Sequence, residues 1–160
     1  RPRFGHTAVL QPPCADSETS SVVVYGGLGD GGVPLGDTHL VSIAETEDKS
    51  LETLWRCLDP GDVGGCEVAP WEQRDRPRAR ACHSAVFWEG TQGSCTGRKM
   101  VVFGGLGLGL EGEARAYGDA WILDIPGPNV AVGAVWRRPL MQGGAPARRW
   151  GHGACLVSGG

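Results

Sequence analysis

The sequence predicts an all-β repeat protein, and three observations carry that prediction. A set of landmarks is written twice in the same order and begun a third time. The segments between the landmarks are short apolar runs of strand length, and no stretch shows a capped helical period. Glycine and proline, at 27 and 11 of 160 residues, exceed ordinary usage and gather where the apolar runs end. Self-similarity of this kind decides the fold before any single residue does, because each repeat must be one supersecondary unit.

Arg3-Phe4-Gly5-His6 opens the first repeat, Arg80-Ala81-Cys82-His83 the second and Arg149-Trp150-Gly151-His152 a third. After each of the first two His residues, Thr7 to Leu10 and Ser84 to Phe87 read as a first strand. Val22 to Tyr25 before Gly26-Gly27, and Met100 to Phe103 before Gly104-Gly105, are continuous apolar runs, as expected of strands covered on both faces. Asp37 and Asp119 precede third strands at Leu40 to Ile43 and Trp121 to Ile125, with His39 standing where the second repeat has Trp121. Fourth strands around Trp55 and Trp136 alternate, the pattern of half-buried outer strands. Each repeat thus supplies four antiparallel strands, the content of one propeller blade.

Taken as a set, R-x-x-H, an apolar strand ending in Gly-Gly, an Asp-x-Trp-like strand and a lone Trp resemble the kelch repeat. The resemblance covers nearly the whole chain and implies kelch-type β-propeller blades: two four-stranded antiparallel blades and the start of a third, hence a partial propeller. The expected units are 1–72, 73–147 and 148–160. The spacing of His6, His83 and His152 exceeds the roughly 50 residues of a kelch repeat, so the excess is assigned to loops, which accept insertion at small entropic cost. About four to eight blades complete a propeller. The chain is therefore expected to be part of a larger protein, with the remaining blades supplied by the same parent chain or by other copies.

The net charge of −3, with both signs interspersed, argues against nucleic acid as the main partner. No run approaches the roughly 20 apolar residues of a membrane span. Cys14, Cys57, Cys66, Cys82, Cys95 and Cys155 form no C-x-x-C pair, and reduced thiols in a cytoplasmic protein are expected. A Cys57–Cys66 disulfide would suit a secreted protein instead. A cilium- or cytoskeleton-associated location is the other alternative that the resemblance leaves open.

Because His6, His83 and His152 recur once per repeat, they are expected to be spread around a propeller and to tie each incoming loop to a blade, with no convergence on a metal. Asp37 and Asp119 are expected to be structural acids that bind a motif Arg or backbone amides. Arg3, Arg80, Arg149, Gly26, Gly27, Gly104, Gly105, Trp55, Trp121 and Trp136 complete this structural set, and no cofactor is expected.

Specific function is assigned to the loops joining second to third strands (Leu28 to Leu35, Leu106 to Tyr117) and to the inter-blade crossings (Asp59 to Pro77, Met141 to Arg148), since rigid scaffolds carry function on loops. Leu28, Asp30, Leu35, Trp71, Arg74, Arg76, Leu106, Leu108, Leu110 and Arg115 are the candidate partner-binding residues. Exposed Leu and Trp suit a protein contact. The arginine run Arg74, Arg76, Arg78 and Arg80 suits an acidic one, although Glu72 and Asp75 dilute it. The resemblance implies a non-catalytic interaction scaffold, as in ubiquitin-ligase adaptors or cytoskeletal and ciliary assemblies. The alternative it leaves is a galactose-oxidase-like copper enzyme, for which the only tyrosines are Tyr25 and Tyr117, both beside repeat landmarks.

Overall fold

The computed structural model of the chain describes residues 1–13, 19–59, 76–89, 97–125 and 135–157. Every apolar run between landmarks is a strand. β1 (Thr7–Gln11), β2 (Ser20–Tyr25), β3 (Thr38–Glu45) and β4 (Leu51–Cys57) pair antiparallel in sequence order to form one four-stranded sheet. β5 (Ser84–Glu89) and β6 (Arg98–Phe103) are followed by a small separate hairpin of β7 (Leu106–Leu108) and β8 (Ala114–Ala116). β9 (Ala120–Asp124) and β10 (Val135–Arg137) then complete a second four-stranded sheet in the order β5-β6-β9-β10. The architecture is all-β, in two propeller-type blades that do not close a ring. Among the described residues the only helical element is a three-residue 3-10 turn at Asp30–Gly32, and no helix is long and apolar enough to cross a membrane.

The core lies between the two sheets. Side chains alternate across a strand, and the register fixes which of them share a face. Val9 opposes Val23 and Val23 opposes Leu40, so these three face one way, together with Tyr25. In the second sheet Met100 opposes Leu123, Val102 opposes Trp121, and Leu123 opposes Trp136, so these five share a face. The two sets meet in one buried cluster. Each fully buried side chain of the size of Met100 or Leu123 contributes roughly 1.5–3 kcal/mol.

The two landmark tryptophans occupy equivalent positions, since Trp55 opposes Val41 as Trp136 opposes Leu123. Their burial differs sharply: Trp136 is 7% exposed and Trp55 61%. Trp136 packs on Tyr25 of the first sheet, with ring centroids 4.9 Å apart, whereas among the described residues no sheet covers the corresponding face of the first. The landmark Trp is thus an inter-sheet residue. The half-buried alternation expected of the fourth strand does not hold for β4, where only Arg56 is withdrawn from solvent.

The Leu106 to Tyr117 segment also differs from the continuous loop expected, because it carries the β7–β8 hairpin. After His152, residues 152–157 pair with no strand, although the motif preceding them is docked on the second sheet as described below.

Candidate functional site

The R-x-x-H tetrapeptides make two sets of bonds, and the second tetrapeptide, Arg80 to His83, makes both. The side chain of the Arg grips its own blade. Arg3 donates from Nη1 and Nη2 to the two carboxylate oxygens of Asp37 (2.7 and 2.8 Å) and from Nη1 to the Gly26 carbonyl (3.1 Å). Arg80 repeats this with Asp119 (2.8 and 3.0 Å) and the Gly104 carbonyl (2.8 Å). The backbone and the His grip the preceding blade. The Arg80 carbonyl accepts from the Gly27 amide (2.9 Å), and His83 Nε2 is hydrogen-bonded to the Thr7 hydroxyl (2.7 Å). The third motif repeats this grip: the Arg149 carbonyl accepts from Gly105 (2.9 Å) and His152 Nε2 meets the Ser84 hydroxyl (2.8 Å). Tyr25 packs edge-on to His83 as Phe103 does to His152.

The third residue of the motif links successive copies. Cys82 donates its amide to the Gly5 carbonyl (2.7 Å), and Gly151 donates to the Cys82 carbonyl (2.8 Å). All three have left-handed φ, at 64° for Gly5, 53° for Cys82 and 66° for Gly151. Cys82 is therefore a non-glycine residue in a conformation that costs roughly 1–2 kcal/mol. Cys82 and Cys155 are free thiols, whereas Cys66, the partner that Cys57 would have in the alternative of a secreted protein, lies outside the described residues.

His39 is explained by the same arrangement. The Trp121 indole N–H donates to Asp119 (2.7 Å), and His39 Nε2 donates to Asp37 (2.8 Å). The substitution keeps the one donor that the carboxylate needs. Burial works to raise the pKa of both carboxyls, but the hydrogen bonds from His39 and Arg3 to Asp37, and from Arg80 and Trp121 to Asp119, outweigh it and hold both below the ordinary range.

Burial pushes the His83 pKa down to about 3 from 6.5, reinforced by the Arg80 charge and by His6 and His152. The folded chain therefore refuses a proton that the unfolded chain accepts. The resulting stability is present above the unfolded value near 6.5 and is lost as pH falls towards about 3. The depressed Asp37 and Asp119 act in the same direction at lower pH, losing their contribution as pH falls below about 4. The urea midpoint is expected to fall steadily on acidification. His83→Gln should flatten the part of that loss between about pH 6.5 and 4.5. Equal slopes for the two proteins in that window would show that His83 does not carry it.

The tyrosines are engaged in structure. Tyr25 is fully buried, with its hydroxyl 3.3 Å from the Arg78 carbonyl. Tyr117 donates to the Leu108 carbonyl (3.1 Å), and the Arg80 guanidinium lies over its ring at 4.4 Å.

Described parts of the loops expected to bind a partner line a cleft of about 1090 Å³: Val33 and Pro34, residues 108–110 and 115–119, Arg76 at the end of the first crossing with Arg78 and Ala79 after it, and residues 146–148 of the second. Arg76, Leu108, Leu110 and Arg115 line it, whereas Asp30, in the exposed 3-10 turn, is not among the lining residues. Leu108 and Leu110 are open to solvent, at 46% and 83%. Leu28 and Leu106, expected to be exposed, are half-buried instead. Leu28 bridges Phe4 and Pro34, and Leu106 bridges Ala81, so both are spent on holding the loops down. Leu35 is also half-buried, donating its amide to Gly27 and accepting from Arg80. Trp71 and Arg74 lie outside the described residues. The sequence reading missed Arg138 in the cleft wall and took Arg148 only as the end of a candidate crossing, not as a binding residue. Nothing local marks them together; only the fold, which sets both in one wall with Arg76 and Arg78, does.

No family model matches the chain. It is similar to an F-box/kelch-repeat protein of Arabidopsis thaliana, 31% identical over 123 residues that make up 77% of this chain and 19% of that protein. It is also similar to a putative adagio-like protein 2 of Oryza sativa subsp. japonica, 27% identical over 92% of this chain and 21% of the relative. An adagio-like protein 1 from the same plant is 28% identical over 86% of this chain and 19% of the relative. The chain spans about a fifth of the length of these curated relatives. The relative named for its kelch repeats and the twice-written blade together point to repeats of the kelch type.

Proposed function

We propose that the chain is a non-catalytic protein–protein interaction scaffold that holds a protein partner on the face formed by its second-to-third-strand loops and inter-blade crossings. One observation carries this reading. The polar side chains of Arg3, Asp37, Arg80, His83, Asp119 and His152 are engaged in joining strands and blades, while Leu108 and Leu110 stand exposed in a cleft on the loop face. Apolar side chains presented by a rigid frame suit protein contact. The F-box in the name of one relative favours a substrate-receptor role over a cytoskeletal or ciliary one, and a cytoplasmic location belongs to the same proposal.

The test is affinity capture with the full-length protein, comparing wild type with a Leu108→Ser/Leu110→Ser variant. Melting should change by no more than about 0.5 kcal/mol, as for surface positions, and captured partners should be lost. Severe unfolding would place the two leucines in the core, and an unchanged partner set would move the binding face elsewhere.

A further inference from the structure

The cleft on the loop face concentrates charge of one sign. Five of the chain's 15 basic residues line it: Arg76, Arg78, Arg115, Arg138 and Arg148. This occurs in a chain whose net charge is −3. Among the described residues the single acid in the wall is Asp119, and its charge is already matched, with both oxygens taken by Arg80 and one also by Trp121. Arg76 lies 3.7 Å from Asp59, and Arg138 stacks over the Trp121 ring at 4.6 Å. Arg78, Arg115 and Arg148 have no carboxylate partner among the described residues. Glu111 and Glu113 sit at the tip of the β7–β8 hairpin, outside the lining. The described lining of the cleft is therefore positive in a chain whose net charge is negative.

Apolar surface adjoins this charge. Val33, Leu108 and Leu110, at 57%, 46% and 83% exposed, share the lining with the arginines. Guanidinium groups bind carboxylates through paired N–H donors. Leucine and valine beside them bury the apolar side chains that a peptide carries between its acids. A polynucleotide has no use for that apolar wall, and the negative net charge of the chain opposes a long polyanion that must extend past the cleft.

We propose that this cleft receives an acidic, leucine-containing segment of the partner protein, with Arg78, Arg115 and Arg148 pairing with its carboxylates. The proposal rests on the scaffold reading and specifies the chemistry of its partner.

The probe is a fluorescein-labelled 12-residue peptide of alternating Glu and Leu, titrated by anisotropy with the full-length protein. A Gln-for-Glu peptide and a 12-nucleotide oligoadenylate serve as comparisons. The acidic peptide should bind at least tenfold more tightly than either comparison and weaken as salt rises. Arg78→Gln/Arg115→Gln/Arg148→Gln should lose at least tenfold of that affinity while melting with wild type. If the triple variant does not fold, Arg78→Glu alone, at an exposed position, should lose several-fold. Absence of acidic-peptide binding, equal affinity for the Gln peptide, tighter binding of the oligonucleotide, or a variant that binds like wild type would each overturn the proposal. The scaffold reading is judged separately. Loss of captured partners in the Leu108/Leu110 variant, without loss in the arginine variant, would retain the scaffold and reject the acidic segment.

Discussion

Replacing Arg80 by Met is expected to destabilise the chain by about 3–5 kcal/mol, the cost of breaking a buried ion pair by removing one partner. Arg80 is fully buried, and it alone supplies charge to Asp119, a donor to the Gly104 carbonyl and a second donor, from Nε, to the Arg78 carbonyl at 3.0 Å. Methionine fills the volume but leaves all of these acceptors facing a thioether. The same change at Arg149 is expected to cost no more than about 0.5 kcal/mol, because that side chain is exposed and bonds only to the Ala147 carbonyl. Urea unfolding of the two variants side by side checks the expectation. A cost at Arg80 below about 1 kcal/mol would mean that the bidentate pair adds little beyond a surface salt bridge.

The second large effect is expected at the first glycine of the Gly-Gly pair. Gly26 has φ 65°, and a Cβ there would stand 2.5 Å from the Arg80 carbonyl oxygen, the acceptor that joins the two blades through Gly27. Gly26→Ala should therefore pay twice: roughly 1–2 kcal/mol for the left-handed backbone and about 1–3 kcal/mol for the displaced inter-blade bond. Gly31 separates the two costs. Its φ is 72°, but nothing lies within 4 Å of its Cβ position, so Gly31→Ala should show the backbone cost alone. Equal losses at Gly26 and Gly31 would remove the close approach from the argument.

Much of the fold was legible because each blade strand is a compact apolar run bounded by a landmark. The Arg3–Asp37 and Arg80–Asp119 pairs were legible because the same two residue types recur at the same place in both repeats. The β7–β8 hairpin was not, since two three-residue strands, one of them centred on Gly107, carry too little period to read. Burial of the landmark tryptophans was also hidden. Trp55 and Trp136 have the same identity and the same register, and only the neighbouring sheet distinguishes them. The arginine cleft was half visible. The run from Arg74 to Arg80 is plain in sequence, but the fold draws Arg80 inward to Asp119 and sets Arg76 and Arg78 beside residues of a later crossing.

The contact between the two sheets joins unlike surfaces. The Tyr25 side of the first meets the Trp136 side of the second, and the surfaces left over are again one of each kind, marked by Trp55 and by Phe103. Such a contact is heterologous, so stacking another sheet reproduces the same two leftover surfaces. Closure removes them only if the rotation per sheet divides a full turn. A change that alters this rotation, at Gly5, Cys82 or Gly151 where successive motifs are bonded, would leave the series open. An otherwise well-folded repeat would then become the seed of a filament.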